Sequence, residues 1–360
     1  MVKRRSQVMR ITGTSPMVKE CNVNLVKWFL LDHGAATKPE IAQLTGISLM
    51  TVGKIVNEMC EQGALTRLGT QESALGRKAE QFAVNPAFGS SVGMRFLVDR
   101  IDVVGADLLG EVKFQHTFPM PEGYGFDRLV EIRDFCRQRL PKIQAVAVGF
   151  PAPVFEGRLH SGHLLQFKDV NVQHGLDEVW EQPVLIGRDL NITSIGFARG
   201  NLAPVSGDLP KVQDLAYMLL SEAGYGAGFL SGGRVVRGFS YFAGEIGRLP
   251  LANGEYLRQF IDSGVSDDEY VRVISQMVAA VTCVVNPAMV VFTGDSVRPA
   301  LLERIGERLR ERVSFNWEGQ RNVCPELIYE EDIWPSYRAG LVYLATRQIH
   351  SGVCMVEESF

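Results

Sequence analysis

Thr37–Met59 reads TKPEIAQLTGISLMTVGKIVNEM, and two helix starts are written into it. Thr37 is a capping residue, Pro39 sits in the first turn, and Glu40 stands three positions on, where its carboxylate can return a bond to the cap. Ile41, Ala42 and Leu44 carry that helix to a turn at Thr45-Gly46. Ile47 faces inward, and Ser48 caps a further helix whose Val52, Ile55, Val56 and Met59 fall on one apolar stripe. Upstream, Asn24–Leu31 (NLVKWFLL) has apolar residues at helical spacing and ends at His33 and Gly34. Three helices with a tight turn before the third have the spacing of a helix-turn-helix, whose third helix enters the DNA major groove by its N-terminal part. The candidate contact residues there are Ser48, Met50, Thr51, Gly53, Lys54 and Asn57. Asn57 suits an adenine edge, Thr51 or Met50 a thymine methyl, and Lys54 a phosphate. Gly53 costs about 1 kcal/mol relative to alanine inside a helix; close approach to DNA and tolerated drift both account for it.

After that helix, Gly63–Gly69 predicts a strand and wing, and Ser73–Lys78 precedes a second strand at Gln81–Val84. Arg67, Arg77 and Lys78 give this winged element a basic edge of the kind that reaches narrow minor grooves. Charge supports the same division. Residues 1–86 carry 11 basic and 7 acidic side chains, net +4, whereas the whole chain has net −4, so the remainder is net −8. A basic head on an acidic body points to a polyanionic partner.

At 360 residues, 46% hydrophobic and 22% charged, the chain is long enough for two or three domains and excludes disordered and fibrous classes. Six scattered cysteines form no close pair, which argues against a disulfide framework or zinc ribbon and for a reduced, cytoplasmic setting. No secretory signal opens the chain. The longest apolar run, Met277–Phe292, is interrupted by Asn286-Pro287 and is too short for a membrane span.

The body, residues 87–360, reads as α/β and duplicated, in lobes of about 87–190 and 191–360. Ser91–Val98, Ile101–Asp107 and Glu111–Phe118 predict a meander, followed by a helix at Phe126–Leu140 and a strand at Ala145–Gly149. The rhythm returns with strands Asp214–Leu220, Gly226–Leu230 and Arg234–Val236, a helix at Asp267–Val285 and a strand at Met289–Thr293. Two similar halves imply a cleft between them.

The head, together with GFPAPV (Gly149–Val154), RDLN (Arg188–Asn191), AGYGAG (Ala223–Gly228), GEIGR (Gly244–Arg248) and NPAMVVFTGD (Asn286–Asp295), resembles transcriptional regulators of the ROK family (repressor, open reading frame, kinase). The resemblance implies a winged helix-turn-helix on an actin-like, sugar-kinase-like fold. It also implies a homodimer or homotetramer that binds operator DNA and represses carbohydrate-related genes in response to a sugar. Family kinases cradle ATP phosphates with a glycine-rich first loop; this chain has Met94–Asp99 (MRFLVD) in its place, and Glu222 stands in the second loop. Kinase activity is therefore not expected, and neither is a catalytic residue.

On the sugar side, the resemblance makes Asp189 and Glu245 hydroxyl-binding carboxylates. Arg188 and Arg248 replace the family's asparagine and histidine. Arginine presents a planar fork suited to anions, so these two suggest a sugar phosphate or sugar acid, or else they neutralise Asp189 and Glu245 and leave room for a neutral sugar. Leu249–Leu257 lacks the family's cysteine cluster, so the zinc that the resemblance would bring is not expected; no metal and no cofactor are assigned. Two other readings stand beside the regulator: an ATP-dependent sugar kinase with an appended head, and a regulator with a vestigial cleft controlled by a protein partner. His160 and His163 lie in a loop near the expected cleft mouth.

Overall fold

The computed structural model describes residues 15–72, 78–120, 125–159, 167, 170–200, 212–313 and 323–350. The chain divides into two compact units, one running up to Phe88 and the other covering Gly89–Ile349.

The first unit begins with α1 (Ser15–His33), longer at both ends than its apolar periodicity suggests, followed by β1 (Ala36–Thr37), α2 (Lys38–Thr45) and α3 (Leu49–Glu61). The capping box forms as read: the Thr37 hydroxyl accepts the Glu40 N–H, and the Glu40 carboxylate accepts the Thr37 N–H at 2.8 Å. Gly46 ends α2 at φ +72°, a left-handed conformation that side chains resist, and its N–H donates to the Ala42 carbonyl. Ser48 accepts the Thr51 N–H and starts α3, which buries Val52, Ile55, Val56 and Met59. Strands β2 (Leu65–Glu72) and β3 (Lys78–Val84) follow, and β1 adds to them in an antiparallel sheet of order β1-β3-β2. A bulge between Arg67 and Thr70 interrupts the β2–β3 register.

The second unit holds two sheets of the same topology. In the first, β4 (Ser90–Phe96), β5 (Arg100–Asp107) and β6 (Val112–Pro119) form the expected meander. The helix α4 (Phe126–Arg139) leads to β7 (Ile143–Phe150), parallel to β4. The small hairpin β8 (Val154–Phe155) and β9 (Arg158–Leu159), then α5 (Val172–Val179), lead to β10 (Val184–Arg188), parallel to β7. The order is β10-β7-β4-β5-β6.

The helix α6 (Asp189–Arg199) crosses to the second sheet, of order β13-β12-β11-β14-β15, built by β11 (Leu215–Ser221), β12 (Gly224–Ser231), β13 (Arg234–Val235), β14 (Met289–Thr293) and β15 (Glu326–Tyr329). Its helices are α7 (Leu257–Asp262), α8 (Asp267–Val284), α9 (Leu302–Val313) and α10 (Trp334–His350). Strand for strand, the second order repeats the first: an antiparallel meander, then two strands added in parallel on its other side. The inner strands β4, β7, β11 and β14 are buried almost throughout, as strands covered on both faces must be.

Two helices tie the halves together. The face of α6 carrying Leu190 and Ala198 packs on Leu215, Tyr217 and Val291 of the second sheet, while its Ile192 joins Tyr337 and Leu341 of α10 over Val104 and Ala147 of the first. The last helix of the chain, which follows the strands of the second half, thus returns to the first lobe's sheet. Glycines permit the crossing. A Cβ on Gly196 would lie 1.8 Å from the Ser336 carbonyl oxygen, and one on Gly340 would lie 2.0 Å from that of Ile192.

Candidate ligand cavity and nucleic-acid interface

Helix α3 turns the predicted contact residues outward in graded fashion. Met50 is 87% exposed, Ser48, Lys54 and Asn57 are exposed, and Thr51 and Gly53 are half-buried. The Ser48 and Thr51 hydroxyl oxygens lie 2.8 Å apart, so both are held at the helix start. No described residue comes within 4 Å of a Cβ placed on Gly53, so packing among the described residues does not require glycine there. Asn57 is already engaged: its Oδ1 accepts a hydrogen bond from Lys38 Nζ at 2.9 Å. Lys38 also lies 5.0 Å from the Phe82 ring centroid, and Arg67 lies 5.9 Å from it while pairing with Glu80 at 3.5 Å. Phe82 therefore holds two cations beside α3. Lys38 was not singled out in the sequence, where it reads only as the residue after a cap. Arg77, His160 and His163 lie outside the described residues, and Lys78 is described only through its place at the start of β3.

Three of the four predicted cleft residues come together where β10 runs into α6. The Arg188 side chain is 8% exposed; its Nη2 pairs with Glu245 Oε1 at 2.8 Å and its Nη1 donates to the Ala243 carbonyl at 2.9 Å. That carbonyl is presented by a turn at Gly244, whose φ of +92° and close approach to Ala227 O both demand glycine. Asp189 opens α6 and accepts the Leu190 N–H at 2.6 Å. Burial pushes its carboxyl group above the usual carboxylate range, while Arg188 and then Arg95 pull it down. Arg248 is exposed, and its backbone N–H donates to the Glu245 carbonyl at 3.0 Å. Of the two arginines, Arg188 is paired with Glu245.

Beside Arg188 opens a cavity of about 290 Å³, lined by Pro153 and Val154, by Glu156, Gln173, Ile186, Asn191 and Ile192, and by Arg237 and Tyr241 from the second lobe. Arg188 Nε and Asn191 Oδ1 are buried without a hydrogen-bond partner among the described residues, one a donor and the other an acceptor. Buried polar groups are ordinarily satisfied, so a hydroxyl-bearing guest would complete both. Asn191 belongs to the RDLN motif but was not assigned a role from sequence; Arg237 and Tyr241 carried no motif.

The loops compared with phosphate cradles are engaged internally. Met94 and Phe96 are buried in the first lobe's core. In the second loop the Glu222 N–H donates to Asp295 Oδ1 at 3.0 Å and the Ala223 N–H to Ser221 Oγ at 3.3 Å. Arg258 holds the Glu222 carbonyl at 2.8 Å. Among the described residues no group of three or more His, Cys, Asp or Glu is placed to hold a metal ion. No described helix is long and apolar enough to cross a membrane.

Residues 99–260 match the model of the ROK family. The chain is 25% identical to the xylose repressor of Caldicellulosiruptor bescii over 249 residues, 66% of this chain and 61% of the repressor's length. It is 23% identical to the DNA-binding transcriptional dual regulator NagC of Escherichia coli, over 66% of this chain and 59% of NagC. Among solved structures, a ROK family transcriptional regulator described as a homolog of the E. coli MLC protein aligns with a TM-score of 0.67 at 17% identity, covering 93% of this chain and 97% of its own. The ROK hexokinase of Thermus thermophilus aligns with a TM-score of 0.56 at 18% identity, over 73% of this chain and all of the hexokinase. The fold is thus the mixed α/β, sugar-kinase-like ROK fold.

Proposed function

The chain carries a ROK family domain, and from that premise we propose that it is a carbohydrate-responsive transcriptional repressor: a winged helix-turn-helix head binds operator DNA, and a sugar in the Arg188–Asn191 cavity regulates it. The observation that carries the reading is α3, capped at Ser48 after the Gly46 turn, with its stripe buried and Met50 and Lys54 turned to solvent. Relatives named as repressors of xylose and N-acetylglucosamine genes support the sugar class.

The effector is neutral in this reading. Arg188 already answers a carboxylate and two carbonyls, and its remaining Nε with Asn191 Oδ1 suits a hydroxyl better than a phosphate. The protein is not a kinase in this reading, since amides of the second phosphate loop already have acceptors within the chain. The working form is a cytoplasmic homo-oligomer. Phe239, Phe242 and Val284 are more than half exposed on the second unit and supply apolar surface for a second copy. Two-fold pairing of the heads requires a roughly palindromic operator.

The mechanism is linkage: a sugar that prefers one arrangement of the lobes changes operator affinity only by its differential affinity for the two states. Fluorescence anisotropy with the protein's own upstream DNA, titrated with neutral sugars, sugar phosphates and sugar acids, tests it. Specific binding that a neutral sugar weakens is expected. Absence of specific DNA binding overturns the reading, and specific binding indifferent to every sugar overturns its effector half.

A further inference from the structure

We propose that a second cavity, beside Arg95, is a binding site for a small phosphorylated metabolite, separate from the cavity beside Asn191.

The cavity is built by strand register. Across β4, β5 and β6, Arg95 pairs with Asp102 and Asp102 with Thr117, which sets these three side chains in a row on one face of the sheet. The start of α10 covers the end of that row with Trp334, and the space enclosed is about 670 Å³, with Arg100, Gln115 and His116 on its wall. That volume accommodates a phosphorylated metabolite rather than a bare ion.

Among the described residues, Arg95 has no carboxylate within ion-pair distance. Its Nε is buried with no acceptor among them. Its guanidinium lies 4.7 Å from the centroid of the Tyr337 ring, which in turn stacks on Trp334 at 6.2 Å and 20°. A guanidinium held against an aromatic ring keeps its fork of donors for a two-point contact with an oxyanion.

The carboxylates on the wall are already committed. Asp102 accepts the Thr117 hydroxyl at 2.8 Å and faces Arg100 Nε at 3.6 Å, and Asp332 accepts the Trp334 backbone N–H at 2.9 Å. Arg100 is held only loosely, 3.3 Å from Asp99, and can turn a second guanidinium toward a dianion. Asp189 attracts Arg95 from a distance without pairing to it. A phosphate dianion seated between Arg95 and Arg100 supplies the missing acceptors, and the rest of the metabolite extends along Gln115 and His116. Arg95 belongs to the Met94–Asp99 stretch that stands in place of the first phosphate loop, and no residue of the second loop is among those that line this space.

Calorimetry on the full chain with glucose 6-phosphate and with inorganic phosphate tests this without any DNA, so its failure and that of the repressor reading are distinct. Saturable one-to-one binding is expected, tighter for the ester than for phosphate if the site serves a metabolite, with the reverse order assigning it to free phosphate. Arg95→Gln should weaken both ligands at least tenfold, and Arg95→Lys, which keeps the charge but loses the fork, should weaken them less. Arg100→Gln, at an exposed position, should weaken them severalfold. No saturable binding of either ligand overturns the proposal, as does binding left intact in Arg95→Gln and Arg100→Gln.

Discussion

Arg188 directs its guanidinium inward, to Glu245 and to the carbonyls of Ala243 and Gly244, so its removal is felt first as stability. Glu245 is 24% exposed and would be left without its partner. Arg188→Met should cost about 2 kcal/mol, less than the loss for a fully buried pair because Glu245 keeps part of its hydration. Urea midpoints for Arg188→Met, Glu245→Gln and the double variant would give the coupling, and additive single effects would contradict it. Asp189 adds a pH dependence of known sign. Its folded carboxyl group titrates above the ordinary aspartate value, so in that window the folded state holds a proton that the unfolded state has released, and stability falls as pH rises. Asp189→Asn should flatten this part of the stability–pH curve, measured by thermal melting from the ordinary aspartate value upward. The sequence named Asp189, Glu245 and Arg188 because they stand in motifs. It gave no sign that Arg188 would be consumed by Glu245, because that depends on where a turn 56 residues away, at Gly244, delivers its carbonyl.

At the scale of elements, what is encoded locally was legible and what depends on distant partners was not. The start of α2 rests on Thr37 and Glu40, three residues apart, and the start of α3 on Ser48 and Thr51; both were read correctly. Thr37→Ala should cost about 1 kcal/mol, the usual value for a lost cap, seen as an earlier unfolding transition of the head. The α6–α10 crossing could not be read. Gly196 and Gly340 lie far apart in the chain, and a glycine inside a helix ordinarily signals weakness, whereas here each one admits the other helix's backbone. Gly196→Ala would set a methyl group 1.8 Å from the Ser336 carbonyl oxygen, an atom that cannot rotate away. The helices must part, at a cost of about 3 kcal/mol or more, measured as a fall in the urea midpoint of the body. A loss below 1 kcal/mol would mean that α6 and α10 slide past each other easily and do not fix the lobes. Strands β10 and β15 and the return of α10 escaped the sequence for the same reason: their apolar residues face partners contributed by other segments.

For the whole molecule, the same strand order occurs twice in the body, yet charge divides the chain unevenly, with net +4 on residues 1–86 and net −8 on the rest. In the proposed reading, an acidic body repels a duplex at long range and a basic head attracts it, so operator affinity would rest on a few cations close to phosphate. Anisotropy titrations against operator and scrambled duplexes over a range of salt concentrations separate the roles. Each phosphate contact contributes about 0.9 to the slope of log K against log salt, so Lys54→Ala should reduce the slope by about 1 and weaken both duplexes alike. Arg67→Ala should reduce it by less, because Arg67 must first leave Glu80, 3.5 Å away, and DNA gains only the difference. Met50→Ala removes an apolar side chain without charge; the slope should hold while discrimination between operator and scrambled duplex shrinks. Lys38→Ala distinguishes a contact residue from a positioning one. Lys38 holds the Oδ1 of Asn57, and if it also reaches a phosphate the slope falls as it does for Lys54. A lower affinity with the slope unchanged would mean that Lys38 works through the orientation of Asn57 on α3. A slope unchanged in Lys54→Ala, Arg67→Ala and Lys38→Ala alike would place the DNA on another surface of the head.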